Sequence, residues 1–207
     1  PLPFPNCEDV GGQVLQTSDG GYLITGGTKT HGNGVCTSNF GGYYDVFVLK
    51  TDVNGNYIWS KTYGGAGNHN FGIGLHPLDA ENYLLSIHSD ATGQGGSIVY
   101  GSIRQSDGTI NWARNIDGTC SEYGGVQPLP LGGYLLNGST SSAGNGGNDH
   151  LLLKMDTSLM ATGCFSSTPV TLQAVAYTPA SRQNIPEVAI NMTAFPINLA
   201  ITVSDAR

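Results

Sequence analysis

The sequence predicts an all-β fold built from repeated four-stranded antiparallel units. Three observations predict it. A tyrosine-centred strand motif occurs three times, as DGGYLITGGT at 19–28, AENYLLSIHS at 80–89 and GGYLLNGSTS at 132–141. Glycine supplies 31 of 207 residues, interleaved with Val, Ile, Leu, Tyr and Thr, which is the composition of short strands joined by tight turns. No segment of helical length carries a 3.6-residue apolar period.

Each unit reads as four strands in order. In the first, GGQVLQT, GYLITGG, DVFVLKT and NYIWSKTY follow one another. Ser18-Asp19-Gly20-Gly21 makes the first hairpin, and Asp52-Val53-Asn54-Gly55-Asn56 makes the last, because Asn-Gly favours the positive-φ turn that matches strand twist. The second unit runs FGIGLHPL, NYLLSIHS, SIVYGSIRQ and TINWARNI, with its last hairpin at Ser106-Asp107-Gly108. The third runs GGVQPLP, GYLLNGS and DHLLLKM, then loses the pattern. Lys50, Arg104 and Lys154 read as equivalent, as do Trp59 and Trp112. Leu23, Ile24, Val46, Val48, Ile58 and Trp59 are the predicted core of the first unit.

Tyr22, Tyr83 and Tyr134 lie 61 and 51 residues apart. A period near 50 is the length of a four-stranded propeller blade, whose faces are buried only by stacking on neighbouring blades. The expected organisation is a β-propeller-type repeat domain over 1–165, with units at about 7–65, 66–119 and 120–165, and a β tail or partial β-domain over 166–207. About three blades are recognisable, with eleven strands, fewer than the roughly sixteen of the smallest common propeller. The tail lacks glycine and reads as VTLQAVAYT, EVAINMTAF and NLAITVSD, bounded by prolines. It has three readings: a divergent fourth blade, a truncated sandwich, or strands that pair with a neighbouring molecule.

SDGGYLITGGT, DVFVLKTDVNGNYIWSKTYGG and GGYLLNGSTSSAGNGGNDHLLLKMD together resemble a repeat of secreted bacterial and archaeal β-propeller proteins, over roughly residues 7–165. In that family a DGGY hairpin, a K-T-D-x-N-G hairpin and a following Trp recur in each blade. This chain departs from the pattern at Ala80-Glu81-Asn82 and at Thr157-Ser158-Leu159-Met160, and its third unit has no Trp. The resemblance implies an extracellular or cell-surface propeller used for display or adhesion, and it supplies no activity.

Charge and composition narrow the function classes. Net charge is −7 with eight Lys plus Arg, which argues against nucleic acid and anionic membrane surfaces. No apolar run approaches the roughly 20 residues of a membrane-spanning helix. The chain opens at Pro1 without a Met or an apolar leader, so a removed leader or a processed fragment is expected. Cys7, Cys36, Cys120 and Cys164 show no C-x-x-C spacing. They fit two disulfides in an oxidising compartment, with four buried thiols as the other reading. Three connectivities are open. Loops that share a face of a propeller favour Cys7 with Cys36 and Cys120 with Cys164. Asn137 and Asn191 stand in N-x-S/T sequons and are glycosylation candidates.

The chain carries no catalytic or cofactor motif: G-x-S-x-G, a P-loop and H-E-x-x-H are all missing. His31, His69, His76, His88 and His150 have no ligand spacing. Asp52, Asn54 and Asn56 alternate as calcium-loop oxygens do, but a hairpin turn explains them and the distal Glu is missing. Glu8-Asp9 and Glu122 occupy equivalent loops, where solvated acids are weighed against a glycan-cleaving pair. Asp45 and Asp149 are equivalent and read as stabilising the blade. The expected function is an extracellular, non-enzymatic structural or adhesive surface protein. It would self-associate into a filament or surface layer, or bind another surface protein, through strand pairing by its tail. The alternative is a carbohydrate-binding or glycan-cleaving propeller.

Overall fold

The computed structural model describes residues 9–29, 44–64, 69–90, 96–117, 122–142, 144, 146–160, 166–171 and 173–176. Among them the chain is all β and every strand pairing is antiparallel. Strands β1 (Asp9–Gln16), β2 (Tyr22–Thr28), β3 (Asp45–Thr51) and β4 (Tyr57–Gly64) form a meander, the first sheet. The second sheet repeats it with β5 (Asn70–Pro77), β6 (Asn82–Ser89), β7 (Ser97–Arg104) and β8 (Ile110–Asp117). The third holds β9 (Glu122–Pro128), β10 (Tyr134–Thr140) and β11 (Asp149–Met155).

The repeat extends to irregularities that the sequence does not announce. Bulges interrupt β1–β2 between Gly11 and Gln13 and β5–β6 between Gly72 and Gly74. A second pair interrupts β3–β4 after Lys50 and β7–β8 after Ser102. The latter bulge corrects one expected core residue. Ile58 is the extra residue between Tyr57 and Trp59, so it turns outward and is 48% exposed. Leu23, Val46 and Val48 are buried as expected, Trp59 packs partly buried at the edge of that core, and Ile24 is half-buried.

Register also corrects the equivalence of the basic residues. Tyr22 faces Thr51, Tyr83 faces Ile103 and Tyr134 faces Met155. The counterpart of Lys50 in the second sheet is therefore Ser102, which faces Trp112 as Lys50 faces Trp59. Arg104 sits two residues further out, at the end of β7, and pairs with Asp107 at 3.4 Å. Lys154 holds the Lys50 position in the third sheet.

The second sheet is sandwiched. Leu23, Val46, Val48 and Tyr63 of the first sheet pack against Leu75, Tyr83, Leu85, Ile87, Val99 and Ile103. Its other face sets Leu84, Ile98, Tyr100 and Ile116 against Val126, Leu136, Leu151 and Met155 of the third sheet. Burying both faces of the middle sheet removes the weakness of a lone sheet. Strand β5 lies against β1, β2 and β3, and β9 lies against β5, β6 and β7, so the first strands of the sheets converge.

The chain beyond the third sheet behaves in a way the sequence did not predict. β12 (Ser166–Pro169) adds to β8 and β13 (Gln173–Ala176) adds to β4, each as a fifth strand. Two outer edges are thus capped from within the same chain. Of the three predicted tail strands, only part of VTLQAVAYT falls among the described residues, as β13; EVAINMTAF and NLAITVSD lie outside them.

Candidate functional surfaces

The polar residues at the strand ends form one repeated device. Thr28 donates to Asp9, Ser89 to Asn70 at 2.6 Å, and Thr140 to Glu122 at 3.0 Å, each between directly opposed residues on the first two strands of a sheet. Asp45, Ser97 and Asp149 continue the row on the third strands. The buried Glu122 also accepts from Ser142. Asp9 and Glu122 therefore open strands in different sheets, each engaged by its own hydroxyl. Glu8 lies outside the described residues.

Other carboxylates hold hairpins. Asp52 accepts from the amides of Asn54 and Asn56 and from Asn56 Nδ2, each at 2.8 Å. These bonds, the Asn56 side chain first, hold its carboxyl below the usual range. Asp79 does the same for Glu81 and Asn82, where the glycine turn is replaced, and Asp156 for Ser158. Among the described residues no group of His, Cys, Asp and Glu is arranged to hold a metal.

Lys50 is the one lysine of the repeat that is buried. Its ammonium donates to Thr17 Oγ1 (3.0 Å), Asp19 Oδ1 (3.0 Å) and the Thr51 carbonyl (2.9 Å). Asp19 in turn accepts from Thr17 and from the Gly21 amide. The Thr17 hydroxyl above all, then Lys50 and Gly21, hold the Asp19 carboxyl well below the usual range against the desolvation that opposes them. DGGY is thus a turn locked to the next strand by a buried cation.

Neighbouring sheets are latched by tyrosines. Tyr63 donates to the Gly108 carbonyl at 2.7 Å, and Tyr100 to the Leu159 carbonyl at 2.6 Å. Gly108 sits in the last hairpin of the second sheet and Leu159 in the turn that follows β11, both at positive φ, 67° and 57°. Gly55 holds that position in the first sheet. A leucine there is strained. Leu159 is kept by its burial in the core and by the Tyr100 bond.

A cavity of about 380 Å³ opens where the first strands converge, lined in part by Gln13, His76, Tyr123, Gln127 and Asn137. Burial lowers the pKa of His76. Asn137, a glycosylation candidate, is exposed in mid-strand, and its Oδ1 lies 2.7 Å from His150 Nε2. His88 packs on Tyr123 with ring centroids 4.8 Å apart, and burial lowers its pKa despite the nearby Asp90. Cys7, Cys36, Cys120, Cys164, Asn191 and His31 lie outside the described residues.

The two end sheets each turn one face outward. On the first are Val14, Tyr22, Ile24, Phe47, Leu49 and Tyr57, and on the third Leu135, Asn137, His150, Leu152 and Lys154. No signal for the end faces stood in the sequence, since the strands of all three sheets alternate alike. No family model, curated protein or solved structure matches the chain.

Proposed function

We propose that this chain is an extracellular, non-enzymatic structural or adhesive protein, whose sheets are blades of a propeller-type array and which acts by seating its outward sheet faces on other protein surfaces. The observation that carries this reading is the pair of outward faces on the end sheets, with Val14 and Tyr57 exposed on one and Leu152 on the other. Exposed apolar side chains gathered on one face mark interaction surfaces. The engagement of Asp19, Asp52, Asp79, Asp156 and Glu122 in turns and strand ends supports a scaffold role for these acids. The resemblance to secreted propeller repeats, the low Lys and Arg content and the four dispersed cysteines support an extracellular setting. Light scattering with negative-stain microscopy of the purified chain tests the interaction role: multimers are expected, and a monomer at all attainable concentrations overturns self-association. Thiol titration of the native chain tests the compartment: no free thiol is expected, and four overturn it.

A second reading is a glycan-binding propeller. The cavity favours it, because amide side chains beside Tyr123 are the groups that bind sugar hydroxyls and stack on sugar faces. Glycan-array binding that Tyr123→Ala abolishes would decide for this reading. No binding on the array would set it aside.

A further inference from the structure

We infer that the outward face of the third sheet receives the outward face of the first sheet of a second copy, so that two chains close one ring of six sheets. This rests on the reading of the sheets as propeller blades, and it names the partner and the contact.

The chain makes the same contact twice. Val48 of the first sheet and its register counterpart Tyr100 of the second are both fully buried against the following sheet. The third counterpart is Leu152, at 60% exposure. On the receiving side, Leu75 of the second sheet and Val126 of the third are 0% and 1% exposed, and their counterpart Val14 of the first is 62% exposed. Each end of the stack therefore shows one half of a contact that the interior completes. The half left at one end is the complement of the half left at the other.

Such a head-to-tail contact is heterologous, and it forms a ring when the rotation per step closes. Propellers typically have four to eight blades. With three sheets among the described residues of each chain, two copies give six, the one multiple of three in that range. The outward face of the third sheet has Leu152 where Tyr100 makes its latch, so this strand brings no phenol bond to the contact between copies. It should be weaker than the contacts within the chain and depend on concentration.

The test is light scattering of the full 207-residue chain across micromolar concentrations, with Leu152→Glu and Val14→Lys as variants. Both sites are exposed, so circular dichroism and Tm should match the parent. The parent should run at twice the 21.6 kDa chain mass. Each variant alone should be monomeric, and an equimolar mixture should regain dimer, because an intact pair of faces and an oppositely charged pair then meet. A dimer insensitive to both variants overturns the assignment of faces while self-association stands. Variants that are monomeric and remain so on mixing overturn the head-to-tail contact. Open filaments overturn the ring. A parent that stays monomeric overturns this inference together with the self-association it deepens.

Discussion

Tyr63 donates its phenol to the carbonyl of Gly108 across 2.7 Å, and so ties the last strand of the first sheet to the last hairpin of the second. Tyr100 repeats the bond to Leu159 one sheet later. Burial, above all, drives the Tyr63 phenol far above its ordinary pKa, which keeps the proton on the donor. Tyr63→Phe and Tyr100→Phe should each cost about 1–3 kcal/mol, because each leaves a buried carbonyl without its donor. Chemical denaturation measures this; a loss below the detection limit would mean that the latches are incidental.

Gly108 and Gly55 occupy the same hairpin position with different surroundings. Both have positive φ, and a Cβ at Gly55 meets nothing within 4 Å, whereas one at Gly108 comes within 2.6 Å of the Trp59 ring. Gly55→Ala should cost about 1 kcal/mol from backbone conformation alone. Gly108→Ala should cost about 2 kcal/mol or more, since the indole and Tyr63 must also shift. Equal Tm losses would contradict the packing of the first two sheets.

Asp19 is the carboxylate that faces the buried Lys50 ammonium. Asp19→Asn should destabilise by about 1–3 kcal/mol, a range tempered because Asp19 is half exposed and Thr17 and Thr51 still accept from Lys50. Lys50→Met should be milder, because it withdraws the buried charge and leaves Asp19 to water. Urea midpoints of the two variants give the order.

Stability should fall on acidification in two stages. Burial lowers the pKa of His76 and His88, so the unfolded chain takes up protons first as pH drops below the ordinary histidine value of 6.5. The contribution of the neutral rings is full above that pH and is lost as pH falls through the lowered folded values. The turn aspartates Asp52, Asp79, Asp107 and Asp156, held below 3.8, follow the same sign at lower pH. Tm measured from about pH 8 to 5 should decline in the parent and flatten in His88→Phe. An unchanged slope would remove His88 as a source.

Ile58 and Leu23 separate pattern from register. Leu23→Ala should cost about 2–5 kcal/mol as a core cavity, and Ile58→Thr should stay within about 0.5 kcal/mol. Alternation around Trp59 made both look like core. The bulge beside Lys50 separates them, and no residue type in that stretch signals a bulge.

What the sequence by itself determined is local. The turn residues and the alternation around Tyr22, Tyr83 and Tyr134 set eleven strands and their hairpins, because such signals act over a few neighbouring residues. Asp9 and Glu122 looked like loop acids, since their hydroxyl partners lie 19 and 18 residues away across a pairing. What only the tertiary structure decided is which faces are covered. Val14, Leu75 and Val126 look alike in sequence, yet one is exposed and two are buried, because a sheet's face is buried only by what stacks on it. The same holds for β12 and β13: four-residue strands carry little signal of their own, and they form where the open edges of β8 and β4 supply the missing half of their hydrogen bonds.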